Sequence, residues 1–339
     1  MSKIRIAFLG TGGISLKHSR FLKDCPDAEI VGGCDVSEEI VKGLWERTWD
    51  GTENAPDPPA FTDIDRMFDQ TNPDAVVICT PHTLHYDHCM KAATRGCHIL
   101  VEKPMVTRAK DAYALHKAVK GNGKTFVIGY NTPCTSEFAY IRNAIRSESL
   151  GRLQQVCGFL AQPWLQMLEG SGTWRMDPKL SGGGQAYDSG AHILNSLCWS
   201  VEADVAKVQA YVDFCGKAVD VNSNINVLFA NGVMASIVIS GTSEGMGSHM
   251  SFIFSEGRID VNGWDGAWMK VYDRRTYVKY PKVSDEMNAG EPARNFIEAI
   301  LGKAEPRTSV ENGVVLTELM DAIYESAQTG AISEPRREG

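Results

Sequence analysis

No run of about 18 apolar residues occurs anywhere in the sequence, so no membrane-spanning helix is expected. No C-x-x-C pair occurs among the nine cysteines. Their odd number and scatter argue against a disulfide framework or a structural zinc, and fit reduced thiols used as small buried residues. Basic charge is not in excess: 34 Lys and Arg stand against 42 Asp and Glu, a net charge of -8 with the signs mixed along the chain. That pattern argues against a nucleic-acid backbone as the main ligand. It leaves room for an anionic cofactor, because the amides at a helix start can hold a pyrophosphate in an acidic protein. Internal repeats, coiled-coil heptads and low-complexity tracts are missing. Met1 and Ser2 lead straight into Lys3–Leu9, which is too short and too strand-like for the apolar core of a leader, so a cytoplasmic location is expected.

What is present is an ordinary soluble composition, 43% hydrophobic and 22% charged, on a chain long enough for two cores. Residues 4–9 read as a strand and Gly10-Thr11-Gly12-Gly13 as its turn, followed by a helix with Ile14, Phe21 and Leu22 on one face. A second strand, Glu29–Cys34, ends on Asp35. Ala75–Cys79 is continuously apolar, as in a strand covered on both faces. Helix is predicted over Tyr86–Arg95 and Thr107–Val119, and strand over His98–Val101 and Thr125–Ile128. This alternation predicts an α/β fold, an N-terminal Rossmann domain with a doubly wound parallel sheet. Trp45–Pro59, with Pro56, Pro58 and Pro59, reads as a surface loop. After about Tyr130 the chain changes character. A helix near Ser136–Ser147 precedes the strand-like runs Leu153–Ala161, Lys207–Asp213, Asn224–Phe229, Val233–Ser240, Ser251–Phe254 and Trp268–Tyr272. Asn231-Gly232 is a hairpin signal between two of them. Helices at Ala293–Leu301 and Val310–Gly330 follow, each stopped by glycine. The expectation is a C-terminal α+β domain with a large, mostly antiparallel sheet, residues 129–339, after a nucleotide-binding domain of residues 1–128.

Gly10-x-Gly12-x-x-Ser15 sits between a predicted strand and a predicted helix. The first glycine permits a tight turn, the second lets the backbone approach a pyrophosphate, and the third position needs only a small residue. Asp35 lies about 20 residues on, at the end of the next strand, where a carboxylate accepts the ribose hydroxyls of NAD and repels a 2′-phosphate. No basic residue follows it in Val36-Ser37-Glu38, so NAD is expected in preference to NADP.

Three later stretches carry polar groups at strand ends or after glycines: Thr80-Pro81-His82-Thr83-Leu84-His85, Gly96–Val101 with Glu102-Lys103-Pro104, and Gly182–Gly184 leading to Asp188 and His192. A lysine at the carboxyl end of a central parallel strand can donate to a substrate oxygen that gains charge as hydride leaves its carbon. Asp188 and His192 are four apart and would share one face of a helix. The histidine suits proton transfer near neutral pH, and the carboxylate can orient it or grip a hydroxyl.

Together with Gly129-Tyr130-Asn131 and Ser326-Ala327-x-x-Gly330, these stretches resemble the Gfo/Idh/MocA family, the glucose–fructose oxidoreductase and inositol dehydrogenase group, over nearly the whole chain. The chain departs from the family's usual pattern at His82, where Asn is common, at Asn195, where Asp is common, and at Cys97, where Lys is common. The resemblance implies Lys103, Asp188 and His192 as the catalytic groups. It also implies cofactor contacts from Thr80, Pro81, Glu102 and Lys103, beside those of Gly10, Thr11, Gly12, Gly13, Ile14 and Asp35, with His85 structural or on the cofactor side. Tyr130, Trp164, Trp174 and Arg175 fall where a sugar cleft is expected, with aromatic faces for ring carbons and a guanidinium for a carboxylate. The histidine ladder His82, His85, His88 drifts around a helix and lacks an acid or cysteine, so no metal is expected.

The expected activity is an NAD-dependent hydride transfer to or from a hydroxyl-bearing carbon of a sugar, sugar derivative or cyclic polyol. Two alternatives stay open: glycoside cleavage through transient sugar oxidation and elimination, and a non-catalytic NAD-binding regulator. A homodimer or homotetramer built through the C-terminal sheet is expected, with Val227, Val238 and Ile239 on its open face.

Overall fold

The computed structural model describes residues 2–273 and 287–335. Six strands, β1 (Ile4–Leu9), β2 (Ala28–Cys34), β3 (Ala60–Phe61), β4 (Ala75–Ile78), β5 (His98–Val101) and β6 (Phe126–Ile128), form a parallel sheet in the order β3-β2-β1-β4-β5-β6. Strand order reverses between β1 and β4, which opens a crevice at their carboxyl ends, the usual ligand position in a doubly wound sheet. All four residues of β4 are buried, as expected for a strand covered on both faces. The intervening helices are α1 (Ser15–Lys23), α2 (Glu38–Thr48), α3 (Ile64–Thr71), α4 (His85–Thr94) and α5 (Ala109–Asn122).

The expected loop from Trp45 starts too early. Residues 45–48 complete α2, and the Trp45 ring is buried edge-on to Phe8 with centroids 5.8 Å apart. Ser37 caps this helix by accepting from the Ile40 amide, and Glu38 and Glu39 face the positive end of its dipole. Helix α3, also unforeseen, starts at Asp63, whose Oδ1 accepts from the Arg66 amide at 2.8 Å.

The second half contains α6 (Ser136–Arg146), β7 (Leu153–Ala161), the short α7 (Trp164–Leu168) and α8 (Pro178–Ser181), α9 (Gly190–Val201), β8 (Val205–Asp213), β9 (Asn222–Phe229), β10 (Met234–Ser240), β11 (Gly247–Phe254), β12 (Gly257–Val261), β13 (Met269–Asp273), α10 (Pro292–Ile300) and α11 (Val310–Thr329). Its strands form one sheet in the order β13-β12-β11-β7-β10-β9-β8. The sheet is antiparallel apart from the β7–β10 pair. Side chains alternate across it. Val227 and Ile239 are therefore buried against the helices, and only Val238 of the three expected residues stands on the open face, beside Phe159 and Met234.

Two helices fix the architecture around the crevice. All twelve residues of α9 are buried, the polar His192, Asn195, Ser196 and Ser200 included. Helix α10 returns to the first sheet, where Ala293, Phe296 and Ile297 join Ile6, Phe8 and Leu100 in one apolar cluster. Among the described residues, no helix is long and apolar enough to cross a membrane.

Candidate active site

The turn after β1 is shaped for a phosphate group. Gly10 has φ of 81°, and a Cβ there would stand 2.6 Å from the Cys79 carbonyl carbon, so no other residue fits. Gly12 and Gly13, by contrast, have open space above them. No side chain caps the start of α1 at Ile14; the Leu16 and Lys17 amides bond back to Gly13 and Ile14, while those of Gly12, Gly13, Ile14 and Ser15 meet no partner among the described residues and are left to a ligand. Ser15 meets the need for a small third residue by turning its hydroxyl onto the Gly12 carbonyl at 2.5 Å. Asp35, at the end of β2, braces the turn: Oδ2 accepts from the Thr11 amide at 2.6 Å and the Thr11 hydroxyl at 2.9 Å. Its Oδ1 accepts from the Val36 amide at 2.7 Å. Thr11 thus fills Oδ2, and Oδ1 keeps a second lone pair for a ribose hydroxyl. The free amides, the open glycines and this carboxylate together fit a dinucleotide.

Thr80 and Pro81 follow β4, with the Thr80 hydroxyl 2.9 Å from His88 Nδ1. His85 does not line the cleft; its ring ties two strand ends together, Nδ1 at 2.7 Å from the Pro104 carbonyl and Nε2 at 2.8 Å from that of Thr80. The Lys103–Pro104 bond is cis. Glu102 is buried at the end of β5, where Oε1 meets His18 Nε2 at 2.8 Å. Burial pushes the Glu102 carboxyl up, but the His18 hydrogen bond and nearby positive charge outweigh it and hold it below the usual carboxylate range. A Cβ at Gly129 would stand 2.6 Å from Glu102 Oε1, so a larger residue there would have to push that carboxylate off its place beside His18.

Lys103 extends from the end of β5 to Asp188, with Nζ 2.9 Å from Oδ1 and 3.1 Å from the Asp188 carbonyl oxygen. Asp188 Oδ2 accepts from Trp164 Nε1 at 2.8 Å and Arg175 Nε at 3.2 Å. Burial pushes the Asp188 carboxyl up, but the Lys103 and Arg175 charges reverse this and hold it far below the usual range. Helix α9 begins only at Gly190, so Asp188 lies in the turn before it rather than on the same helix as His192. The loop leading there is clamped by buried Asp220, whose carboxylate accepts from the Gly184 and Ala186 amides and the Tyr324 hydroxyl. His192 is buried on α9, its ring edge-on to Tyr130 and 4.7 Å from that of Trp264. Burial, then the Lys103 charge, pull its pKa down to about 3. Lys103, Asp188 and His192 share a cleft of about 290 Å³ at the carboxyl end of the first sheet, beside Ile14 and Thr80.

Residues 4–130 match the model of an oxidoreductase family with an NAD-binding Rossmann fold, and residues 138–260 match the Gfo/Idh/MocA C-terminal domain. The chain belongs to the Gfo/Idh/MocA oxidoreductase family. Among its relatives is the D-xylose 1-dehydrogenase [NADP(+)] of Haloarcula marismortui, 26% identical over 76% of this chain and 73% of that protein. Another is the D-glucoside 3-dehydrogenase of Escherichia coli, 23% identical over 97% of each. The same fold is seen in levoglucosan dehydrogenase in complex with NADH and L-sorbose, with a TM-score of 0.87 at 19% identity, covering 98% of this chain and 99% of that one.

In this Gfo/Idh/MocA chain the residues expected at a sugar divide into two groups. Trp174 and Arg175 line the cleft, the guanidinium stacked 4.5 Å from the Trp174 ring centre. Trp164 and Tyr130 lie behind it, the former bracing Asp188 and the latter backing His192, its hydroxyl without a partner among the described residues. The cleft also takes His18, His82, Asn131, Ser189 and Trp264, none of which sequence reasoning placed there. His18 and Glu102 are 84 residues apart, and no local pattern links them. His82 did carry a signal, since it stands where asparagine is common in the family.

Proposed function

We propose that this protein is an NAD-dependent dehydrogenase acting on a hydroxyl-bearing carbon of a sugar, sugar derivative or cyclic polyol. The observation that carries the reading is the meeting of Lys103, Asp188 and His192 in one cleft beside an open glycine turn. Bound NAD supplies the hydride acceptor. The chain's own groups prepare the alcohol. Lys103, held by Asp188, donates a hydrogen bond to the substrate oxygen and stabilises the negative charge that grows there as the C–H bond breaks. Neutral His192 has Nδ1 buried without a partner among the described residues, so it faces the cleft through Nε2 and accepts the hydroxyl proton there. Asp188 holds Lys103 in position and is itself fixed by Trp164 and Arg175.

Asp35 supports NAD in preference to NADP, since Val36, Ser37 and Glu38 supply no cation for a 2′-phosphate. The open sheet face with Phe159, Met234 and Val238 supports a homodimer or homotetramer, and a cytoplasmic location fits the reduced cysteines. The test is a panel of aldoses, cyclic polyols and glycosides with NAD and NADP, followed by nicotinamide absorbance and product mass. Steady NADH formation with a free sugar or polyol is the expected result; a released aglycone without net NADH, or no turnover of any of them, overturns the reading.

A further inference from the structure

A second histidine faces the cleft with no part in the steps above. His82 begins the short turn after Pro81 and is 3% exposed. Its Nδ1 lies 3.0 Å from the Ser181 carbonyl at the end of α8. Thr83, its neighbour, donates to the carbonyls of Lys179 and Leu180 on the same short helix. The turn thus serves the carbonyls that the last turn of a helix leaves unpaired. A carbonyl only accepts, so the proton of the neutral ring sits on Nδ1 and the lone pair on Nε2. Burial, followed by the Lys103 and His85 charges, holds the ring well below the usual histidine pKa, which keeps it neutral. The ring is pinned edge-on by Trp174, centroids 4.7 Å apart. It stands on the cleft wall with Lys103, Asp188 and Arg175, and Nε2 meets no hydrogen-bond partner among the described residues.

The balance of donors and acceptors in the cleft gives that nitrogen a use. Lys103 and Arg175 are donors only, and both Asp188 oxygens already receive strong donors. Glu102 Oε1 is taken by His18 and Oε2 by the Lys103 amide, which leaves the Asn131 side-chain oxygen as a further acceptor on the wall. Each hydroxyl of a polyol carries a proton that needs an acceptor once the cleft closes water out. His192 serves the reacting hydroxyl. We infer that His82 Nε2 accepts a hydrogen bond from a neighbouring hydroxyl of the substrate, and so makes His82 a residue that selects for a vicinal diol over an isolated alcohol. The Trp174 and Ser181 contacts tie it to the loop that carries Arg175 and leads to Asp188, which favours the substrate over the cofactor as its partner.

This inference rests on the sugar or polyol dehydrogenase reading, and its test separates the two. His82→Asn keeps a donor at the Nδ1 position for the Ser181 carbonyl and removes the Nε2 acceptor. On the best sugar or polyol of the panel, His82→Asn is expected to lower kcat/KM roughly tenfold to a hundredfold while the Kd for NAD, read by fluorescence titration, stays unchanged. On the deoxy analogue lacking the partnered hydroxyl, wild type and His82→Asn should converge. A wild type that oxidises sugars and a His82→Asn variant that matches it on every substrate would overturn the role of His82 alone. A rise in the NAD Kd with no change in sugar KM would move the contact to the cofactor and also overturn it. A wild type that oxidises none of the sugars or polyols would remove both readings together.

Discussion

Replacing Asp188 with asparagine isolates the charge at the centre of the cleft without changing its shape. The carboxylate takes Lys103 at 2.9 Å on one oxygen, and Trp164 at 2.8 Å and Arg175 at 3.2 Å on the other. An asparagine has a single acceptor oxygen. If that oxygen turns toward Trp164 and Arg175, its NH₂ group faces the Lys103 ammonium, donor against donor. If it turns toward Lys103, the NH₂ group meets Trp164 and Arg175 instead. Either way a charge-assisted hydrogen bond worth about 1.5–3 kcal/mol is lost, and two cations are left in a buried site without their anion. Breaking a buried pair by removing one partner costs about 3–5 kcal/mol. For a domain of this size that is a fall in Tm of about 10 °C. Turnover should fall further than affinity, because both carboxylate oxygens are engaged in holding protein groups. Asp188→Asn should lower kcat roughly 10²–10³-fold, as when one donor to a developing oxyanion is misplaced, with KM within a few-fold of wild type. Steady-state kinetics and a melting curve on the same preparation make the test. A variant with near-normal kcat and a greatly raised KM would show that Asp188 grips the substrate directly, and would refute this account of the ion pair.

Three further outcomes are expected. Lys103→Ala and His192→Ala should each cut turnover by roughly two orders of magnitude or more while still binding NAD, measured by fluorescence titration; near-full turnover in either would place the chemistry elsewhere. Asp35→Ala should lose most of the discrimination between NAD and NADP, read as a ratio of kcat/KM values, and an unchanged ratio would deny Asp35 its role at the ribose. Stability should decline as pH falls from about 6.5 toward 4, because burial holds His88 and His98 at about 4 in the folded protein while the unfolded chain takes up protons near 6.5. Their contribution is complete above pH 6.5, so a Tm that is flat or rising between pH 6.5 and 4.5 would contradict the burial of these rings.

Much of the first sheet was legible because its signals are local. The apolar run Ala75–Ile78 has no other good home than a buried strand, and Gly10, Gly12 and Asp35 announce the turn they build. Helix α2 was missed although Ser37, Glu38 and Glu39 form a start signal, since Pro56, Pro58 and Pro59 drew the loop too far upstream. Strand β12 escaped because Arg258 and Asp260 make a short segment look like a turn. On the second sheet, the strands were found but not which face each side chain took, so Val227 and Ile239 were assigned outward. In the cleft, residue identities carried the chemistry, whereas the pairings did not show. Trp164 with Asp188, His18 with Glu102 and Asp220 with the 184–186 loop join positions that only the tertiary fold brings together. The tripeptide around Lys103 was readable, but the depressed pKa of His192 depends on burial that no short stretch encodes.

The return of α10 to the first sheet has a consequence for how the chain is made. When β6 leaves the ribosome, the sheet face formed by Ile6, Phe8 and Leu100 still lacks Phe296 and Ile297. Roughly 170 residues separate β6 from the end of α10, which at about 5–20 residues per second is a wait of about 10–30 s. During that interval α1 and α2 cover the β1 and β2 side of this face, while its β5 and β6 side, around Leu100 and Val127, stays wet until a segment synthesised much later closes it. A ribosome-stalled chain ending before Pro292 should therefore engage chaperones and be cut readily by protease, whereas one extending past Ile300 and clear of the exit tunnel should not. Circular permutation that places α10 ahead of β1 would remove the delay.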